Sequence, residues 1–174
     1  KIKYSCSVWD INSAKLMKKI CKDYIKVPSA VNLNFSLLKY LCINYKKDIH
    51  VSTGMTSKKN VKKIVNFFKK YKRNNSLILY SCVSDYPVNI SNVNLLDVYE
   101  LKKKYKKLVK KIGFSGHHNG LSIDNCSVLL GAEWIERHFT FDRTAKGTDH
   151  AASLEYEGLY KLKIRIDETL KALT

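Results

Sequence analysis

The residues able to do chemistry crowd into Gly113–Ser153, GFSGHHNGLSIDNCSVLLGAEWIERHFTFDRTAKGTDHAAS, which holds four of the five histidines and most of the glycines. His117 and His138 fall at or just past the ends of two consecutive expected strands. Neighbouring strands run about 4.8 Å apart, so both imidazoles can meet one divalent ion. Two histidines, with water and substrate filling the other positions, suit Mn²⁺ or a similar ion better than a closed structural zinc site. One buried and one exposed histidine is the competing reading of the same spacing. Asp149, beyond a polar loop, can bind a hydroxyl or assist proton transfer, or simply start a helix. Glu136 precedes His138 by two residues and so points the same way on a strand, either orienting a metal ligand or pairing with an interior charge.

Lys26 is the only charge inside a short apolar strand. A buried ammonium needs an anionic partner, either a phosphate or carboxylate ligand or a neighbouring acid. Ser7, Ser29 and Ser52 are small donors at successive expected strand tips, where hydroxyls and backbone N–H groups can cradle phosphate. Ser84, Tyr86 and Ser115 follow further strands. Tyr86 can hydrogen-bond a ligand or wall a pocket.

These residues are placed by alternating elements. Strands are expected at Ile2–Trp9, Tyr24–Pro28, Ile49–Thr53, Ser76–Val83, Lys111–Ser115 and Trp134–Thr140. Ser76–Val83 is almost continuously apolar, as in a strand buried on both faces. Between them lie helical periodicities: Asn12 or Ser13 to about Lys22, Phe35–Tyr45, Ser57–Tyr71, Leu95–Lys107, Ile123–Ala132 and Leu154–Leu173. About six βα units in succession imply a parallel sheet with right-handed crossovers. It can be an open doubly wound sheet or a (βα)₈ TIM barrel. No glycine-rich fingerprint follows the first strand, so dinucleotide binding has no support. Functional residue types gather just after strands, where a barrel carries its active site. The fold class is therefore α/β, of the (βα)₈ TIM-barrel type. Six strands do not close such a barrel, so it is incomplete here by about two units.

The length of 174 residues suits one domain. No apolar run approaches the roughly 20 residues of a membrane span, so no membrane partner is expected. The five cysteines are odd in number, widely spaced and form no CxxC pair, which argues for free thiols and a cytoplasmic setting. The net charge of +17 raises nucleic acid as a partner. However, the lysines are spread over every expected helix without an aromatic stripe. Solvated helix faces and an anionic substrate fit the charge better. The chain opens on Lys1 with a strand expected at once, so a piece of a longer protein is expected.

Six runs, IKVPSA (Ile25–Ala30), STGM (Ser52–Met55), CVSDYP (Cys82–Pro87), GFSGHH (Gly113–His118), IERHFTFDR (Ile135–Arg143) and KGTDHAASLE (Lys146–Glu155), resemble the sialic acid synthase family. The resemblance spans the whole chain in order, from the third barrel strand to the helix after the eighth. It implies an N-acetylneuraminate synthase-like transferase: a barrel that condenses phosphoenolpyruvate with an N-acetylated amino sugar, such as N-acetylmannosamine, and releases phosphate. A divalent metal, Mn²⁺ or Mg²⁺, is implied, with His117 and His138 matching its ligands. Lys26, Ser29, Ser52 and Ser7 match phosphoenolpyruvate-binding positions, with Ser115 beside them. Tyr86 and Asp149 match the sugar-side positions. A homodimer of the full-length parent is implied, as are two N-terminal βα units and a C-terminal antifreeze-like domain that this chain lacks. Val31, Ser84, Gly116 and Thr148 depart from the family's common glutamate, asparagine, aspartate and proline. Another phosphoenolpyruvate-dependent 3-deoxy sugar acid synthase, and a non-catalytic basic barrel piece acting as a binding module, are the alternatives.

Overall fold

The computed structural model describes residues 2–21 and 23–174. Five strands form one parallel sheet in chain order: β1 (Tyr24–Val27), β2 (Asp48–Ser52), β3 (Leu77–Cys82), β4 (Lys111–Ser115) and β5 (Trp134–Glu136). The helices are α1 (Ile11–Ile20), α2 (Phe35–Asn44), α3 (Lys58–Lys70), α4 (Leu96–Tyr105), α5 (Ser122–Leu129) and α6 (Tyr156–Ala172). A helix between each pair of adjacent parallel strands is the crossover that such pairing demands.

The sheet separates two kinds of side chain. Ile25, Val27, Ile49, Val51, Leu77, Leu79 and Ile112 alternate along the strands and pack against α1–α4 in the main core. The other set faces the concave side: Tyr24 and Lys26, His50 and Ser52, Tyr80 and Cys82, Gly113 and Ser115, Trp134 and Glu136. The parallel register arranges them in layers, with Ser52, Tyr80, Gly113 and Trp134 level and Cys82, Ser115 and Glu136 one layer above. The two edge strands meet across this concave side. The Lys26 ammonium reaches Glu136 at 2.8 Å, and the Tyr24 and Trp134 rings lie 5.6 Å apart. The sheet is therefore curled into part of an α/β barrel. Gly113 makes room for the interior, since a Cβ there would stand 2.6 Å from the Tyr80 ring.

Three expectations need correction. Ile2–Trp9 is not a strand. It touches the sheet through the Ser7–Lys26 bridge, the Val8 amide bonded to the Lys26 carbonyl, the Ser5 hydroxyl donating to the Tyr24 carbonyl, and Lys3 over the Trp134 ring. Its alternation finds no surface to bury: Val8 is inaccessible, whereas Tyr4 is 81% exposed. The final strand stops at Glu136 rather than Thr140, because the chain beyond it pairs with Leu154 instead of β4. The first helix is capped by Asp10, whose carboxylate accepts from the Ser13 amide while Ser13 returns a bond to Asp10. That helix ends at Ile20, and Lys22 lies outside the described residues. The other helices start and stop within about three residues of expectation, with Ser57, the expected first residue of α3, serving as its cap.

Among the described residues no helix is long and apolar enough to cross a membrane. The five cysteines are unpaired thiols.

Candidate functional site

The site forms at the carboxyl ends of the strands, where each chain leaves the sheet and its side chains converge. Lys26, on β1, is 6% exposed and lies over the Tyr80 ring at 5.6 Å. Its ammonium pairs with Glu136 Oε1, which also accepts from the Ser115 hydroxyl at 3.0 Å. Glu136 is thus the paired interior charge. Burial disfavours its anion, but the Lys26 ammonium and the Ser115 hydroxyl outweigh that cost and hold its carboxyl below the usual glutamate range.

His117 and His138 each stand two residues beyond a strand, and their rings approach edge to face at 4.9 Å between centroids. His117 is buried. Its Nδ1 lies 2.7 Å from the Val83 carbonyl, so that nitrogen donates, while Nε2 is buried with no hydrogen-bond partner. Burial opposes charging of this ring, but the Cys82 thiol and the Val83 carbonyl stabilise the cation and raise its pKa overall. His138 is partly open. Its Nδ1 meets Asp149 Oδ2 at 3.0 Å, while burial and the neighbouring His117 lower its pKa. Tyr86 closes over the pair, with its ring 4.2 Å from His117 and 5.8 Å from His138.

Ser29, Ser84 and Cys82 form a second group. The Cys82 sulfur lies 3.5 Å from the Ser29 hydroxyl and 3.9 Å from that of Ser84. Both hydroxyls press on Gly54, where a Cβ would come within 2.6 Å of each, so the STGM turn needs a glycine at this position. Asn32 fixes the same turn by donating to the Ser52 and Gly54 carbonyls. The Ser52 hydroxyl is buried and unpartnered. Ser7 is exposed and joins the group only through its backbone bridge to Lys26.

The structure therefore brings together Lys26, Ser115, His117, His138, Tyr86 and Asp149, and places Ser29 and Ser84 beside them. The Ser52 hydroxyl bonds none of them. A cavity of about 1480 Å³ reaches this mouth and is lined by Lys26, Glu136, His138 and Asp149; Ser7 only lines it with them.

The two histidines fit a divalent ion. An imidazole whose Nδ1 is spent on a carbonyl presents an unprotonated Nε2, and the lone pair of His117 has no other partner. Among the described residues no group of three or more His, Cys, Asp or Glu side chains could hold an ion. Protein would supply two ligands, leaving the remaining positions to water or substrate.

Sequence reasoning missed the layer beneath. His50 stacks on Tyr24 at 3.9 Å, meets Trp134 edge-on at 4.7 Å, and bonds Tyr80 through Nδ1 at 2.7 Å. Burial drives its pKa down to about 3, so the floor of the site is neutral. The signal was its place in the alternation, one residue from Val51 and two from Ser52. Cys82, expected as an inert thiol, is also altered. Burial raises its pKa, but the neighbouring His117 ring, with Nδ1 4.0 Å from the sulfur, and the Ser29 hydroxyl override this and bring it to about 7. Nothing in its sequence neighbours marks that contact.

Comparison with known proteins places these features in context. The NeuB family matches residues 1–174. N-acetylneuraminate-9-phosphate synthase of Drosophila melanogaster is 33% identical over 165 residues, covering 95% of this chain and 43% of that protein. N,N'-diacetyllegionaminic acid synthase of Campylobacter jejuni is 33% identical over 174 residues, covering 99% of this chain and 51% of that one. The crystal structure of N-acetylneuraminic acid (sialic acid) synthetase from Leptospira borgpetersenii, in complex with citrate, superposes with a TM-score of 0.86 at 34% identity. That match covers 96% of this chain and 56% of the other. The chain thus spans about half the length of the relatives it matches.

Proposed function

The chain belongs to the NeuB family, and from that membership we propose that it carries most of the catalytic barrel of a nonulosonic acid synthase. The reaction is condensation of phosphoenolpyruvate with an N-acetylated amino sugar, N-acetylmannosamine or a relative, to give a nine-carbon 2-keto acid and phosphate. The observation that carries this reading is the pair of histidine rings 4.9 Å apart, with a buried, unpartnered Nε2 on His117, beside the buried Lys26.

His117 and His138 would hold Mn²⁺ or Mg²⁺, which supplies Lewis-acid polarisation of the sugar aldehyde. Lys26 offers its ammonium to the phosphate or carboxylate of phosphoenolpyruvate, with Glu136 holding it in place until the anion arrives. The hydroxyls of Ser29, Ser52, Ser84 and Ser115, with Ser7 at the rim, are the neutral donors to the same anion. Asp149 lies 3.0 Å from His138 Nδ1 and, being half exposed, can also accept a hydrogen bond from a sugar hydroxyl. Tyr86 covers the histidines and excludes water on that side. Bond making proceeds from C3 of the enol to the aldehyde carbon. Water then adds at C2, and C–O cleavage releases phosphate.

Named synthases of N-acetylneuraminate-9-phosphate and N,N'-diacetyllegionaminic acid among the relatives support the sugar acid product class. The decisive experiment measures phosphate release by the full-length protein. Release should require phosphoenolpyruvate, an N-acetylated amino sugar and Mn²⁺ together, and His138→Ala should abolish it. Turnover that survives this substitution with unchanged metal affinity would refute the assignment.

A further inference from the structure

Next in sequence to the two histidines lies a buried ionic cluster that the reaction does not use. The Arg137 side chain and that of Asp124 are 1% and 0% exposed and meet at 2.7 Å between Nη1 and Oδ2. His118 is also fully buried, with Nε2 3.3 Å from the same carboxylate oxygen. The guanidinium's two terminal nitrogens also reach backbone, donating to Gly120 O at 3.0 Å, His118 O at 2.7 Å and Ala152 O at 3.5 Å. Nη1 lies 3.5 Å from His118 Nε2, while Nε is buried without a partner. One planar fork therefore grips three segments: the loop after β4, the first turn of α5, and the short 3₁₀ turn that follows Asp149.

The sequence positions give this grip its consequence. Arg137 immediately precedes His138, and His118 immediately follows His117. The Ala152 turn begins at Asp149, whose carboxylate lies 3.0 Å from His138 Nδ1 and whose carbonyl accepts from the Ser153 hydroxyl at 2.8 Å. Each polypeptide strand that delivers a ring to the site is thus tied to Arg137 within a few residues of that ring. The packing leaves no slack. A Cβ on Gly116 would stand 3.0 Å from the His118 ring and 3.1 Å from Asp124 Oδ1.

We propose that Arg137, anchored by Asp124, is a positioning residue that sets the separation and orientation of the His117 and His138 rings. The role in metal binding rests on the two-histidine reading above; the role in holding the rings does not. A fork is required because an ammonium at this depth reaches too few of the three carbonyls at once.

The test uses the full-length protein carrying Arg137→Lys, and separately Arg137→Met with Asp124→Leu. The double variant removes both charges, a change that buried ion pairs often tolerate without loss of stability. If either variant fails to melt cooperatively, the other carries the test. Two readouts follow: the ring-nitrogen NMR signals of His117 and His138 in metal-free protein, and Mn²⁺ affinity from the free-ion EPR signal. The expected result is displaced or averaged ring signals at both histidines and Mn²⁺ binding weaker by about 10- to 100-fold. Wild-type ring signals in a folded variant overturn the proposal. Should the unmutated protein bind no Mn²⁺, the metal reading falls and the metal-free ring signals alone decide the positioning role.

Discussion

Replacing Lys26 by Met tests the core of the site, because it keeps the aliphatic stem and deletes only the charge. In the native protein the ammonium lies 2.8 Å from Glu136. At an effective dielectric near 20 that separation corresponds to about 6 kcal/mol of attraction, before the cost of desolvating both ions. Removing one partner of a buried pair strands the other, at about 3–5 kcal/mol. The Ser115 hydroxyl then remains the carboxylate's one hydrogen-bond partner, with His138 nearby. The substitution should therefore destabilise the full-length protein by about 3–5 kcal/mol near neutral pH. Adding Glu136→Gln, which keeps an acceptor for Ser115, should recover most of the loss. The pH dependence has a fixed sign. The Glu136 pKa is held below the usual range in the native fold, so the pair's contribution is present above the unfolded value of about 4.3. It is lost as pH falls through the folded value. Urea melts from pH 3 to 8 on the wild type, both single variants and the double variant give the coupling energy directly. A cost for Lys26→Met that is equal at pH 3 and pH 7, or that persists after Glu136→Gln, would refute the reasoning.

Three further outcomes are expected. His50, whose pKa is about 3 in the fold, must take up a proton when the chain unfolds between about pH 3 and 6.5. Its share of stability falls with pH by about 1.4 kcal/mol per unit over that window, and melts of His50→Phe should lose this slope. Gly113→Ala forces a methyl against the Tyr80 ring and the Trp134 carbonyl; thermal melts should show a loss of about 1–3 kcal/mol. Alkylation rates plotted against pH should give an apparent pKa near 7 for Cys82 and near 11 for Cys42. Equal values for the two thiols would remove the proposed contact between Cys82 and His117.

Much of the fold can be read from the chain because local pattern and burial agree there. Ser76–Val83 is almost continuously apolar, and the strand Leu77–Cys82 within it is covered on both faces. The helix over Lys58–Lys70 shows Val61, Ile64, Val65 and Phe68 at helical spacing, and those four are the residues it buries. Ile2–Trp9 shows the limit of such reading: it alternates as a strand should, yet only Val8 meets a surface able to bury it. Alternation specifies which faces could be covered, not whether a neighbour exists to cover them.

The site divides in the same way. Residue type and position after a strand sufficed to single out Lys26, Ser29, Ser115, Tyr86, His117, His138 and Asp149, because the parallel register sends strand ends to one mouth. Partnership could not be read. The contact between Lys26 and Glu136 spans 110 residues, and that between Cys82 and His117 spans 35. His50 looked like an ordinary strand residue until three aromatic rings closed around it. Arg137, in a run of polar residues, gave no sign that it would be buried against Asp124. Amino-acid order determined which groups are carried to the carboxyl end of the sheet. Only the curl of that sheet, which brings its two edges within reach of a lysine side chain, decided which charges meet, which nitrogen is left unpartnered, and which pKa values move.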